Sequence, residues 1–422
     1  MNKFFEWVER VLMPPMAKLS EQKHLRAIRD GIVSTLPLII VGSFFMIFAF
    51  PPIPKLADKM SPELVGKILI PFRLTMGLMA LYASYGIGHS LARSYKLDGV
   101  SGGILAMAAF IMTTMPLTME EVGFVLPMGN LGGSGMFVAI LMAIFAVEIM
   151  RFLQTKNIMI KMPEGVPDSV ARSFEALIPA AVVITIIWIV RVMLGFDIQA
   201  FIMNLFKPLV RAGNTLPGVL IPILLITLLW AAGIHGVSVV GSIARPIWMV
   251  LLDENMTALA EGAKVLPNIA PEPFFQWFVW IGGSGATLAL VFLFLNSKSD
   301  YLKRLGRTSL LPGICNINEP IIFGAPIVLN PLLGIPFIIG PIVTGIITYV
   351  AMYFNIVARP SITPPWTLPA PIGAYLATNG DWKAVILVII NILIMMAIYY
   401  PFFKAYEKQL LKEEQGKDVA TD

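Results

Sequence analysis

Long, nearly uncharged runs dominate this chain. A transmembrane helix needs about 20 predominantly apolar residues. Runs of that order occur at 31–50, 68–92, 99–119, 122–147, 176–206, 212–234, 236–252, 273–296, about 325–358 and 384–403. The second carries Arg73, and the fifth carries Arg191 and Asp197. About ten transmembrane helices are therefore expected, in an all-α integral membrane protein. Composition agrees: 57% of the 422 residues are apolar and only 14% are charged, against about 25% charged in soluble proteins. So few charges cannot cover a water-soluble surface, which excludes a globular cytosolic protein, a disordered chain and a disulfide-stapled domain. The lone Cys315 allows no intrachain disulfide. His24, His89 and His235 lie far apart, with no Cys/His cluster at metal-ligand spacing, so neither a metal nor another cofactor is expected.

The positive charge sits where a membrane protein puts it. The net charge of +5 comes from Lys and Arg between the apolar runs, which speaks for a lipid bilayer and against nucleic acid. Basic residues crowd the N-terminus, the loops 93–96, 151–172 and 297–309, and the tail from Lys404. With ten spans all of these fall on the cytoplasmic side, and both termini with them. Glu120-Glu121 and the mostly acidic 253–272 fall outside; the three lysines of 51–67 and the basic 207–211 fit this count less well. Residues 1–30 place Phe4, Phe5, Trp7, Val8, Val11 and Leu12 among charges, the pattern of an amphipathic helix on the cytoplasmic membrane surface or of a plain cytoplasmic tail.

Two stretches cannot be plain spans. Prolines occupy 312, 320, 326, 331, 336 and 341, and again 360, 364, 365, 369 and 371. Proline removes a backbone donor and clashes with the preceding turn, so neither stretch is one continuous helix. Both are almost uncharged. Non-helical backbone at membrane depth survives only where protein buries it or a watery cavity meets it, as in broken or re-entrant segments at transporter substrate sites. A loop packed on the membrane surface is the alternative. Residues 148–175 form the longest polar connection and divide the chain into halves, with 207–212 as the other candidate boundary. Leu131-Gly-Gly-Ser-Gly-Met is echoed by Ile281-Gly-Gly-Ser-Gly-Ala, which suits close helix packing or a sugar contact.

Ionisable residues inside a membrane are costly and mark functional sites. His235 lies between Gly233 and Gly236, and Glu319 follows Asn316-Ile-Asn318 and precedes Pro320. Arg245, before Pro246, is read as snorkelling or pairing structurally. Glu319 sits at a helix start, where it can cap the helix or accept hydrogen bonds from hydroxyls. Carboxylate, imidazole and amides without a basic cluster favour a neutral polyhydroxylated ligand. Trp366 and Trp382 bracket the second proline-rich stretch, as ring-stacking faces or as interfacial belt residues.

Four motifs stand out: Gly233-Ile-His-Gly236, Trp280-Ile-Gly-Gly-Ser-Gly-Ala-Thr-Leu288, Asn318-Glu319-Pro320-Ile-Ile-Phe-Gly and Trp366-Thr-Leu-Pro-Ala-Pro, each modest alone but specific as a set, in a resemblance that covers nearly the whole chain. Together they resemble the enzyme IIC permease component of the bacterial sugar phosphotransferase system, in its lactose/cellobiose/diacetylchitobiose family. The resemblance implies a homodimer in the bacterial cytoplasmic membrane. It implies a cytoplasmic segment 1–30, an N-terminal dimerisation domain over 31–206, a C-terminal transport domain with two re-entrant hairpins over 207–403, and a cytoplasmic tail 404–422. Sugar would be carried by an elevator-like movement and phosphorylated by enzyme IIB. His235 and Glu319 match the family's sugar-binding pair, which holds the hydroxyl that receives the phosphoryl group. Glu319 would accept that hydroxyl's proton, with His235 orienting it. Asn318 is carried over as a contact, and Trp366 matches an aromatic position more loosely.

Enzyme IIB needs a nucleophilic cysteine and enzyme IIA a phosphorylatable histidine, each in a soluble domain. Neither is visible here, so the chain is expected to be the membrane subunit of a sugar phosphotransferase, without a phosphorylated residue of its own. It would depend on separate IIB and IIA proteins. Two other readings are a proton-coupled transporter of a neutral sugar, with Glu319 as proton carrier, and a membrane enzyme acting on lipid, for which no convincing nucleophile exists. The permease reading predicts that Cys315→Ser leaves sugar uptake intact. Loss of uptake by a correctly folded variant would overturn it.

Overall fold

The computed structural model describes residues 14, 15, 18, 21–51, 54–57, 59–163, 165–325, 327, 328 and 330–418. The amphipathic run from Phe4 to Leu12 lies outside them. Helices α1 (Lys23–Val33) and α2 (Leu36–Ala49) make one 27-residue apolar passage. Next come α3 (Pro62–Thr75), α4 (Met79–Ser94) and α5 (Gly99–Ile111). A small hairpin pairs β1 (Leu117–Met119) with β2 (Gly123–Val125) antiparallel, Thr118 opposite Phe124. Then follow α6 (Met136–Thr155), α7 (Leu177–Trp188), α8 (Ile198–Gly213), α9 (Leu216–Ala231) and α10 (Gly236–Ala260). The remainder is more broken: α11 (Leu288–Leu295), α12 (Asp300–Ile314), α13 (Glu319–Gly324), α14 (Pro331–Tyr353), α15 (Ala370–Ala377) and α16 (Trp382–Asp418).

Among the described residues, seven helices are long and apolar enough to cross a bilayer, and α8 with α9, bent by 79°, raises the number to eight. Two of the ten expected spans differ in kind. Run 99–119 ends as a helix at Ile111 and passes into the hairpin. Run 273–296 is a one-turn helix, a π-turn over Phe275–Val279, a loop and the eight-residue α11. The loop exists because Gly282, Gly283 and Gly285 take positive φ, a conformation glycine adopts without steric cost. The flanking Phe274, Phe275, Trp277, Phe278 and Val279 are fully buried. Their hydrophobicity faces protein, not lipid.

Both proline-rich stretches are broken as expected. The first is divided among α12, α13 and α14, while Pro312, Pro336 and Pro341 lie inside helices. The second stays non-helical up to α15. Residues 404–418 continue α16 without interruption. Buried Glu407 there accepts hydrogen bonds from Ser297 Oγ and Lys298 N, both at 2.7 Å, which docks the helix end on the 297–301 turn.

Small residues bring α4 and α5 together: a Cβ on Gly88 would stand 2.4 Å from Ala106 Cβ, and one on Gly102 2.5 Å from Ala92 Cβ. Two apolar cores result. One gathers α1 to α8, with Met249–Leu252 and Met256 of α10. The other gathers the chain from Val219 onward, with Ala244 and Trp248 of α10. Helix α10 thus lies between the cores and feeds both.

Asparagines hold the non-helical backbone in place. Asn255, fully buried on α10, donates to Asn268 O at 2.8 Å and Pro360 O at 2.7 Å, and accepts from Asn268 N at 2.8 Å. Asn214 Oδ1, at the α8–α9 bend, accepts from Ile269 N and Ala270 N. Asn255→Ala orphans several buried groups at once and is expected to cost about 2–4 kcal/mol. The measurement is the melting temperature in detergent; an unchanged value would show that these bonds are not needed.

Candidate functional site

The seam between the two cores opens into a cavity of about 480 Å³, within the ~300–1,000 Å³ of small-ligand pockets. One wall is α1 and α2, through Arg29, Asp30, Val33, Leu36 and Ile40. The facing wall gathers His235, Asn318, Glu319 and Trp366, so all four residues expected from sequence line one cavity.

His235 is the N-cap of α10. Its Nδ1 accepts from Ser238 N at 3.2 Å and lies 2.9 Å from Ser238 Oγ. A backbone N–H pointing at Nδ1 requires a lone pair there, so the neutral ring carries its proton on Nε2 and offers a donor. Trp230 packs on the ring with centroids 4.5 Å apart. Glu319 opens α13, followed by Pro320, which suits the first helical turn. The cap at Asn318 forms no side-chain hydrogen bond to the helix. Among the described residues, the Glu319 carboxylate has no hydrogen-bond or ion-pair partner. Asn318 therefore does not cap the helix through its side chain, and Glu319 sits in the first turn, where the helix dipole favours a carboxylate.

The amides of this motif serve the backbone. Asn318 Nδ2 donates to Ser284 O at 2.7 Å. Asn316 Oδ1 accepts from Gly282 N at 2.9 Å, and its Nδ2 donates to Trp366 O at 2.8 Å and Leu368 O at 2.9 Å. The Asn-Glu-Pro, Gly-Gly-Ser-Gly and Trp-Thr-Leu-Pro segments are thus clamped by one buried side chain. Gly283 is needed because a Cβ there would lie 2.4 Å from Asn318 Cγ. The second Gly-Gly-Ser-Gly is close packing that also places Ser284 on the cavity wall. Its echo packs on Asp253 with ordinary φ at Gly132, so the two share letters and not conformation.

Charges in the cavity are mostly neutralised. Arg29 pairs with Asp30 at 2.8 Å, and Arg245 pairs with Glu272 at 2.8 Å. The pairing of Arg245 matches expectation. Glu272, expected in an exterior acidic loop, instead lines the cavity, and its Oε2 is buried without a partner among the described residues. Its only trace in the sequence is a carboxylate between Pro271 and Pro273 at the edge of an apolar run. Trp230, Trp277 and Trp280 add aromatic lining that pattern alone did not single out. Trp382 is 63% exposed and Cys315 is half-buried; neither lines the cavity. Among the described residues, Glu319 is the unpaired charge of this cavity and both of its arginines are paired, so it suits a neutral ligand with hydroxyls for the polar groups and faces for the indoles.

The sequence matches the family described as "Phosphotransferase system, EIIC" over residues 29–341. The chain belongs to that family. It is 43% identical to the PTS system cellobiose-specific EIIC component of Geobacillus stearothermophilus, over 99% of this chain and 97% of that one. It is 42% identical to the Lichenan permease IIC component of Bacillus subtilis (strain 168), over 99% and 97%. Its structure is similar to the crystal structure of the transporter ChbC, the IIC component from the N,N'-diacetylchitobiose-specific phosphotransferase system, with TM-score 0.92 at 41% identity over 97% of this chain and 99% of that one. The protein is therefore a multi-pass EIIC permease component, a class that works on sugar with IIA and IIB partners.

Asn316→Ala removes all three clamp bonds. It is expected to cost about 2–4 kcal/mol and to abolish saturable ligand binding. Calorimetric titration together with thermal unfolding checks both; a variant with normal melting and normal binding would contradict the clamp.

Proposed function

We propose that this permease carries a β-linked disaccharide, such as cellobiose or diacetylchitobiose, across the bacterial cytoplasmic membrane and presents it to enzyme IIB. The observation that carries this reading is the single cavity that joins His235, Asn318, Glu319 and Trp366 between two cores. The cellobiose and diacetylchitobiose systems named for its relatives support the choice of sugar.

In this mechanism the sugar ring stacks on indole faces, including Trp366. His235 Nε2–H donates to a hydroxyl oxygen, and the Glu319 carboxylate accepts the proton of the same hydroxyl. When phosphorylated enzyme IIB approaches from the cytoplasm, the hydroxyl oxygen forms a bond to phosphorus. The bond from phosphorus to the IIB thiol breaks, the thiol leaves as thiolate, and the hydroxyl proton passes to Glu319. Asn318 positions the motif through Ser284 and borders the sugar. No metal or cofactor takes part.

Residues 31–206 act as the dimerisation domain of a homodimer and 207–403 as the moving transport domain, with both termini cytoplasmic. A cavity lined by both cores supports an elevator-like movement, because sliding one core along the other changes the side from which the sugar is reached. Across the seam, Thr363 N donates to Ser43 Oγ at a long 3.3 Å, a bond easily exchanged. Helix α10, shared by the cores, is where this sliding has to be accommodated. Family membership favours phosphotransfer over proton-coupled uptake.

The test is uptake of radiolabelled cellobiose and diacetylchitobiose into vesicles holding this protein, with and without phosphoenolpyruvate and the soluble phosphotransferase components. Phosphorylated sugar should accumulate only with the full system; unmodified sugar driven by a proton gradient would overturn the reading. Glu319→Gln is expected to lower vectorial phosphorylation by about 10²-fold or more, the usual contribution of general acid–base catalysis. A wild-type rate would remove Glu319 from its role.

A further inference from the structure

A second cavity, of about 670 Å³, lies between α1 and α4 in the first core. Its electrostatics differ from those of the sugar cavity. Lys23, Arg26 and Arg93 line it, together with His89 and two carboxylates, Glu21 and Asp30. Asp30 is already neutralised by Arg29, which is not part of this lining. Among the described residues, neither Arg26 nor Arg93 is paired with a carboxylate. Lys23 Nζ stands 4.5 Å over the Tyr95 ring. His89 stacks on Tyr85, and its Nδ1 is buried without a partner.

Two unpaired guanidiniums sharing one cavity form the donor set that recognises a phosphate, since each planar fork can bond two oxygens at once. Among the described residues, the sugar cavity has no such free cation, since Arg29 and Arg245 are each paired with a carboxylate. The two cavities are neighbours: Asp30 lines both, and the Arg29–Asp30 pair stands between them. No Leu, Ile, Val, Met or Phe lines the second cavity, and Ser34, Ser90 and Ser94 bring hydroxyls to it. That favours a hydrophilic phosphate ester over the acyl chains of a phospholipid.

We infer that the cavity of Arg26, Arg93 and Lys23 binds the phosphate monoester of the phosphorylated disaccharide, as a product site beside the sugar cavity. This inference rests on the phosphotransferase reading above. Leaving the neutral sugar cavity for a basic neighbour gives the charged product a path that the unphosphorylated sugar has no reason to take.

The experiment is calorimetric titration of the full chain in nanodiscs of zwitterionic lipid, with three probes: cellobiose, cellobiose carrying one phosphate ester, and inorganic phosphate. The double variant R26Q/R93Q is expected to bind the phosphate ester at least about tenfold more weakly, the loss typical of charged hydrogen bonds, and cellobiose as the wild type does. The lysine pair R26K/R93K should retain part of the affinity and serves if the glutamine pair fails to fold. Equal affinity of wild type and variant for the phosphate ester would overturn the inference. Weaker phosphate-ester binding by the wild type in discs of anionic phospholipid, competing for the same arginines without preference for the sugar ester over inorganic phosphate, would reassign the cavity to lipid headgroups and also overturn it. If cellobiose fails to bind the wild type while inorganic phosphate binds through Arg26 and Arg93, the sugar reading fails and the product assignment fails with it, but the anion cavity stands.

Discussion

Every backbone N–H and C=O that leaves a helix inside a membrane must find a partner, because hydrocarbon supplies none. In the second half of this protein the demand is large: the segments 261–271, 280–287 and 358–369 are all non-helical. Buried asparagines meet much of it. Asn316 ties three segments together, Asn255 ties 268 to 360, and Asn391 donates from α16 to Phe278 O and to Thr348 Oγ1, both at 3.0 Å. An amide side chain suits this task because it both donates and accepts, as the peptide it replaces does. Leucine at any of these positions would leave donors and acceptors bare.

The site follows from that scaffold. With their backbones clamped, the segments can end in positions that a helix would deny them. His235 caps α10, Glu319 opens α13, and Trp366 is held through its own carbonyl by Asn316. The clamp also explains the electrostatics. Polar backbone is satisfied by neutral amides, and the two arginines in the cavity are each matched by a carboxylate. Glu319 is left as the unspent acceptor, in a place suited to a hydroxyl. Beside it, the basic cavity between α1 and α4 has the opposite character, which gives neighbouring places for a neutral sugar and its charged ester.

Much of this was legible in the sequence, for a specific reason. Charge or imidazole within apolar surroundings is costly, so His235 and Glu319 stand out by residue type alone. Proline runs that forbid continuous helix likewise mark both broken segments. Glu272 was missed because it lies at the border of an apolar run, where a carboxylate reads as loop. Run 273–296 reads as a span because an uncharged, largely apolar stretch looks the same whether lipid or protein surrounds it. Its aromatic residues turn out to be buried in the C-terminal core.

What the sequence by itself determined was the solvent and the inventory: a chain with 14% charge must live in a bilayer, and a few polar residues in apolar context must carry its chemistry. Its motifs also placed it in its family. Only the tertiary structure decided which of those residues meet. His235 and Glu319 are far apart in the chain, and Asp30 and Glu272 farther still from obvious candidacy, yet one cavity receives them all. Pairing of Arg245 with Glu272, and the freedom of Arg26 and Arg93, are likewise matters of distance between helices. Local pattern cannot encode such distances, because they are set by how two separate cores pack on either side of α10.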